Sequence, residues 1–195
     1  VDARREFCAK MDAANVDLKG FTDDFYMRLC GARLAPVLET LTYLVRETNV
    51  WTEITTLLIP GENDSDEELF EMCGWIVREL GPDVPLHFTA FHPDYRMTDV
   101  AHTPAATLAR AREIGQRAGL RYVYTGNVHD VDGGTTYCPG CGKPLIVRDW
   151  HEILRYEVTD NGHCRHCAAA LPGRFGPVPR RSWGRRRVPV RVAMA

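Results

Sequence analysis

The chain has 195 residues, 45% of them hydrophobic and 26% charged, the composition of a folded globular protein and not of a disordered or fibrous one. No stretch approaches the roughly 20 apolar residues needed to cross a bilayer, so no membrane partner is expected, and no signal-peptide pattern opens the sequence. The net charge of −2 hides an asymmetry: residues 173–195 hold seven arginines and no acid, so residues 1–172 carry −9. Such a segment binds nucleic acid or lies across an acidic face of its own domain. The second is favoured, because no recognition motif accompanies the arginines. The sequence starts at Val1 without an initiator methionine, as a processed chain or a gene fragment would.

In chain order, Ala14–Lys19 reads as a short strand with polar residues at its end. A short helix follows, capped by Thr22 and stopped by Gly31. Leu34, Val37, Leu38, Leu41, Leu44 and Val45 then mark one helix face at 3.6-residue spacing. Trp51–Ile59 is rich in β-branched residues and ends at Pro60-Gly61, as a buried strand does. Ser65 and Glu68 have capping-box spacing before a helix with Leu69, Cys73, Ile76 and Leu80 on its apolar stripe. Pro85–Phe91 is a further strand. Thr103-Pro104 opens a helix with proline at its first position, Gly119 ends it, and Arg121–Thr125 supplies a last strand. Strands and helices in regular alternation imply right-handed crossovers and a mainly parallel α/β sheet. Ligands of such sheets gather beyond the carboxyl ends of the strands. Those ends are here Asp17–Lys19, Leu58–Asn63, Ala90–Asp94 and Thr125–His129.

The pattern changes at Tyr137. Cys138-Pro-Gly-Cys141-Gly and Cys164-Arg-His-Cys167 bracket 22 residues with β-like content and an Asp160-Asn161-Gly162 turn. There is too little apolar sequence for an independent core, so a metal is expected to hold this part together. Two Cys-x-x-Cys knuckles suit four thiolates around one zinc, as in a zinc ribbon. Iron in a rubredoxin-like site, or half of a cluster site, is the alternative. Seven cysteines in all, an odd count, with four in metal-type pairs, point to a reducing compartment and hence the cytoplasm. With four positions filled, no open site remains for catalysis, and His163 and His166 are read as bystanders. Cys8, Cys30 and Cys73 fall within helix patterns and are read as buried structural thiols.

Asp17 and Lys19, two apart at a strand end, point to the same face. They make either a surface ion pair or the two halves of a site for a zwitterionic ligand. His92 leaves another strand at the same end.

The segments Ala14-Asn-Val-Asp-Leu-Lys19, Glu53-Ile-Thr-Thr-Leu-Leu-Ile-Pro-Gly61 and Phe88-Thr-Ala-Phe-His-Pro93, in that order, resemble the later part of a radical S-adenosylmethionine (SAM) enzyme of the pyruvate formate-lyase activating enzyme type. The terminal four-cysteine segment and the arginines after it resemble more narrowly the AmmeMemoRadiSam system branch. The resemblance implies the C-terminal part of a partial (β/α)6 barrel over residues 1–132, a zinc-ribbon-like module over 133–172, and an arginine-rich tail over 173–195. It implies that Asp17 and Lys19 help hold the methionyl group of SAM, that Thr55–Leu57 run along the cofactor with Thr55 and Leu57 in contact, and that His92 lies near the ribose. At Thr55 the activating enzyme has an arginine, a departure at that contact.

Family members reduce and cleave SAM at a [4Fe–4S] cluster bound by Cys-x-x-x-Cys-x-x-Cys, forming a 5′-deoxyadenosyl radical that abstracts hydrogen from a substrate. That triplet is not present in this sequence, and the matching begins just before the fourth barrel strand. The expectation is therefore a C-terminal fragment, inactive alone, that holds no catalytic residue of its own. The substrate is open, and a glycyl-radical protein is one candidate by analogy. The competing function is a zinc-ribbon binding module for nucleic acid or a partner protein. The lack of interleaved aromatic and basic residues near the ribbon argues against nucleic acid.

Overall fold

The structure, a computed structural model, describes residues 2–176. The arginine-rich segment expected at 173–195 lies outside the described residues from 177 onward.

After a short helix α1 (Asp2–Cys8), strand β1 (Ala13–Asp17) enters a four-stranded sheet. Helix α2 (Asp23–Phe25) follows, with the Thr22 hydroxyl accepting from the Phe25 amide at 3.2 Å as the sequence predicts. The next turn, Tyr26–Cys30, widens to π geometry before Gly31 ends it at φ 61°. Helix α3 (Leu34–Glu47), strand β2 (Trp51–Leu58), helix α4 (Asp66–Glu79), strand β3 (Leu86–Ala90), helix α5 (Ala105–Arg117) and strand β4 (Val123–Gly126) complete this part. All four strands are parallel, in the order β1-β2-β3-β4, so the parallel α/β expectation holds.

One face of the sheet is closed and the other open. Along β2, Thr52, Ile54, Thr56 and Leu58 are buried, while Trp51, Glu53, Thr55 and Leu57 are half-buried. The buried face packs Ile54, Leu58, Leu86 and Phe88 against Leu41 of α3, Leu69 and Ile76 of α4, and Leu108 and Ile114 of α5. A strand buried on one side alternates with period two, and the helices cover that side.

Two local expectations are corrected. Ser65 caps α4, its hydroxyl accepting from the Glu68 amide at 3.2 Å, but Glu68 does not return the bond. Its carboxylate accepts from the Phe21 amide at 2.6 Å, satisfying a donor just beyond β1 that no ladder reaches. Helix α5 starts at Ala105, with Pro104 as its N-cap and no side-chain cap. Thr103 is buried instead, giving its hydroxyl to Leu58 O at 2.6 Å and accepting from the Phe91 amide at 2.9 Å.

Beyond β4, strands β5 (Thr136–Tyr137), β6 (Pro144–Asp149) and β7 (Glu152–Tyr156) form an antiparallel sheet. Its core is small: Cys138, Leu145, Val158 and Cys164, with Ile146, Leu171 and Phe175 against them. Gly162 has φ 80°, and any side chain there would run into the Phe175 ring, the nearest atom lying 2.3 Å from where Cβ would be. This unit meets the open face of the large sheet, where the Tyr124 hydroxyl bonds Thr136 Oγ1 at 2.9 Å and the Thr125 amide donates to Gly133 O at 3.1 Å.

Candidate metal centre and the carboxyl edge of the sheet

The sulfurs of Cys138, Cys141, Cys164 and Cys167 all lie within 4.8 Å of one another. Cys138 and Cys167 are 3.5 Å apart and Cys141 and Cys164 3.9 Å. Four thiolates about 2.3 Å from one zinc stand about 3.8 Å apart in a regular tetrahedron, so the donor set fits a single metal ion of this kind. The two knuckles repeat the same backbone bonds. The amides of Gly140 and His166 donate to Cys138 Sγ (3.4 Å) and Cys164 Sγ (3.3 Å). The amides of Cys138 and Cys164 donate to the carbonyls of Lys143 and Ala169, each at 2.9 Å. Amides aimed at sulfur favour the thiolate and fix its direction.

The Cys138 and Cys167 thiols are shifted in opposite directions. Burial pushes Cys138 up, but the Cys141 and Gly140 amides and the bonds from Cys167 and Cys164 outweigh it, bringing that thiol down to about 7. At Cys167 the Ala169 amide favours the thiolate, but bonding to Cys138 and burial raise it to about 12. Cys138 therefore gives up its proton well before Cys167. His163 keeps Nδ1 3.1 Å from Asn161 O, and His166 enters only through its backbone amide. The metal group that the structure assembles consists of the four cysteines alone.

The remaining cysteines divide. Cys8 and Cys73 are buried as expected, and burial pushes the Cys73 thiol up to about 12. Cys30 is exposed, a correction: it ends the π turn, whose buried residue is Tyr26.

At the other end of the open face, Asp17 and Lys19 form a 2.7 Å ion pair, each about half exposed. Asp17 pairs in register with Thr55, Thr55 with His87, and His87 with Tyr124, a single row across all four strands. Thr55 gives its hydroxyl to Asn15 Oδ1 at 2.8 Å. Leu57, two residues further along β2, packs with Phe25, Tyr26, Ile59 and Phe91 at the sheet's carboxyl edge. His92 is exposed just past β3, its ring 6.1 Å from that of His102, edge to face. Thus Asp17, Lys19, Thr55 and Leu57 share the β1–β2 edge. Among the described residues His92 has no hydrogen bond or ion pair to any of them.

The side chain that organises this edge is Asn63, which the sequence reading placed in a strand-end loop without a role. Buried to 2% exposure, it donates to Lys19 O (2.6 Å) and Leu57 O (2.9 Å) and accepts from the Ile59 amide (2.7 Å). The Lys19 amide donates in turn to the buried Tyr26 hydroxyl at 3.0 Å. These bonds fix the backbone on both sides of Lys19.

No family model matches the chain. A stretch of 163 residues, 83% of the chain, is 47% identical to an uncharacterized protein of Methanocaldococcus jannaschii, of which it covers 48%. The chain therefore spans about half the length of that relative. Among solved structures, a domain of pyruvate-formate lyase-activating enzyme from Bacteroides vulgatus is similar, with a TM-score of 0.56 and 14% identity over 65% of this chain and 74% of that one. At that identity the likeness is one of fold: the chain is built like a domain of an activating enzyme. No helix among the described residues is long and apolar enough to cross a membrane.

Proposed function

We propose that the chain is part of a radical SAM enzyme of the activating-enzyme type, in the AmmeMemoRadiSam branch, and that the carboxyl edge of β1 and β2 holds SAM. The observation that carries this is the Asp17–Lys19 pair, held on the open face of a parallel sheet of this fold by a backbone that Asn63 and Tyr26 fix. Lys19 would take the methionyl carboxylate, Asp17 would neutralise a cation or the amino group, Thr55 and Leu57 would line the cofactor, and His92 would face the ribose. Held this way, the ligand is oriented before any chemistry starts. A [4Fe–4S] cluster would supply the electron that cleaves SAM, and its cysteine triplet is not in this sequence. Cleavage thus belongs to a protein that also carries that triplet.

In the same proposal, residues 1–132 form the barrel part and residues 133–172 a module held by one structural zinc, working in the cytoplasm on a substrate not yet identified. Equilibrium dialysis of labelled SAM against the chain tests the edge directly. Binding that Lys19→Ala weakens at least about tenfold, the loss of a charge-assisted contact, supports it. SAM affinity equal in both proteins, or none in either, overturns the assignment. Formation of 5′-deoxyadenosine by the 195-residue chain alone would overturn the role given to the absent cysteines.

A further inference from the structure

From the His87–Tyr124 end of the Asp17–Thr55–His87–Tyr124 row, the open face runs under the four-cysteine unit, and a cavity of about 540 Å³ lies between them. Trp51, Glu53, His87 and Tyr124 line it from the sheet, and Arg148 and Trp150 from β6 and its turn. A volume of this order fits a small organic ligand.

The polar groups of the cavity are unevenly satisfied. Both oxygens of Glu53 are engaged, Oε1 accepting from the Trp51 indole at 3.0 Å and Oε2 lying 2.7 Å from His87 Nε2. Asp130, also in the wall, is engaged at both oxygens by the Thr125 hydroxyl (2.8 Å) and the Gly133 amide (2.9 Å). Both carboxylates of the wall are thus engaged, while two of its donors are not fully used. Arg148 spends only Nη1, on Gly134 O (3.1 Å) and Thr136 Oγ1 (2.9 Å). Among the described residues no carboxylate lies within ion-pair distance of its guanidinium, which stands 5.8 Å from the centre of the Tyr124 ring. Tyr122 lines the same cavity at 5% exposure, and its hydroxyl has no partner among the described residues. A buried donor left without an acceptor is costly.

From these observations we propose that the cavity is a binding site for a small planar organic carboxylate. The acid docks on Arg148 and the ring lies among Trp51, Tyr124 and Trp150. An anion beside a half-buried guanidinium with an unused edge gains a two-point contact that a neutral group does not, and indole and phenol faces suit a flat apolar body. The Tyr122 hydroxyl is the further donor on offer. This cavity runs from Trp51 and Pro85 at the amino ends of β2 and β3 to Thr125–Val128 at the carboxyl end of β4; Asp17, Lys19 and His92 are not in its lining, and the site requires neither SAM nor a cluster.

The test is calorimetric titration of the zinc-loaded 195-residue chain with indole-3-carboxylate and, as its neutral counterpart, indole-3-carboxamide, followed in parallel by tryptophan fluorescence. The expected result is saturable binding of the acid, at least about tenfold weaker binding of the amide, and an Arg148→Gln variant that loses that preference, as removal of a charge-assisted contact predicts. Arg148 also ties β6 to Gly134 and Thr136, so Arg148→Gln is compared by circular dichroism with the parent. If that variant does not fold, Trp150→Ala, on an exposed turn, is read instead. It should weaken the acid and the amide alike. Acid and amide binding equally, or neither binding at about 10 mM, the weakest range a specific site would occupy, overturns the proposal. So does an unchanged preference in folded Arg148→Gln, or unchanged binding in Trp150→Ala.

Discussion

Gly142 and Ala168 occupy the same position in the two cysteine knuckles, one residue after the second cysteine, with φ of 69° and 61°. Each donates its amide to the carbonyl of its knuckle's first cysteine, Gly142 to Cys138 and Ala168 to Cys164, both at 2.9 Å. The backbone of the two halves is thus alike although only one half has the glycine the conformation favours. A left-handed non-glycine residue costs about 1–2 kcal/mol, part of which alanine recovers by restricting the unfolded chain. Ala168→Gly should therefore stabilise the metal-loaded chain by about 0.5–1 kcal/mol, and Gly142→Ala should destabilise it by a similar amount. Urea unfolding at fixed zinc measures both, and a lower midpoint for Ala168→Gly would contradict the equivalence.

The four sulfurs bring their own prediction. Metal binding must displace the protons that the thiols hold, so affinity should fall as pH drops. With Cys138 down at about 7 and Cys167 up at about 12, Cys167 holds its proton at neutral pH and Cys138 about half of one, so zinc uptake should release more than one proton per ion. Purified protein should hold one zinc per chain. Cys164→Ser should hold much less and lose the β6–β7 signals, because Cys138 and Cys164 make up half of that unit's small buried core. Metal analysis together with proton release in two buffers of different ionisation enthalpy reads both effects. A metal-free chain with β6 and β7 still protected from hydrogen exchange would show that apolar packing alone suffices.

Much of this was legible in the sequence because the signals are local. The β-branched Trp51–Ile59 run, the Ser65 cap and the cysteine spacing each act within a few residues, and each appears where the sequence puts it, the strand ending at Leu58. What was not legible depends on residues far apart in the chain. Glu68 has the spacing to close a box on Ser65, yet its carboxylate goes to Phe21, 47 residues away. Thr103 has the look of a helix cap, yet its hydroxyl lies between the ends of β2 and β3. Ala168 hides the symmetry of the knuckles, since alanine gives no hint of a left-handed backbone. Asp17, Lys19 and Thr55 could be placed on one strand end, but the row from Asp17 through Thr55 and His87 to Tyr124 needs the parallel register.

Asn63 is the residue whose loss should most disturb the β1–β2 edge. Asn63→Ala removes three bonds and leaves the Lys19 and Leu57 carbonyls and the Ile59 amide without their partner. A cost of about 2–4 kcal/mol is expected for a buried network of this size. Asn63→Asp is the sharper variant. It keeps an acceptor for Ile59 but turns a carboxylate oxygen toward two carbonyl oxygens now 2.6 and 2.9 Å away. It should be no more stable than the alanine variant at pH 7 and should recover as the pH falls and the carboxyl gains a proton. Chemical denaturation across pH 4–7 measures this, and an Asp variant as stable as the parent would show that the edge is held by other means.

Glu53 supplies the pH dependence of the open face. Its carboxyl is held below the ordinary 4.5 first by the hydrogen bond with His87, against the opposing effect of burial, and then by the Trp51 indole. A folded-state value below the unfolded one means that the unfolded chain binds the proton more readily. The group therefore stabilises the fold fully above the ordinary carboxylate range and loses that contribution as pH falls through its lowered folded value. Glu53→Gln should cost about 1–3 kcal/mol at pH 7, the range for a charge-assisted bond between half-buried groups. The difference between parent and variant should shrink as the pH is lowered from 6 toward 3. The difference itself is the quantity to measure, because carboxylates common to both proteins cancel in it. A gap constant across that range would mean that Glu53 contributes by shape and neutral hydrogen bonding, and that its charge has no part in holding His87 against the sheet.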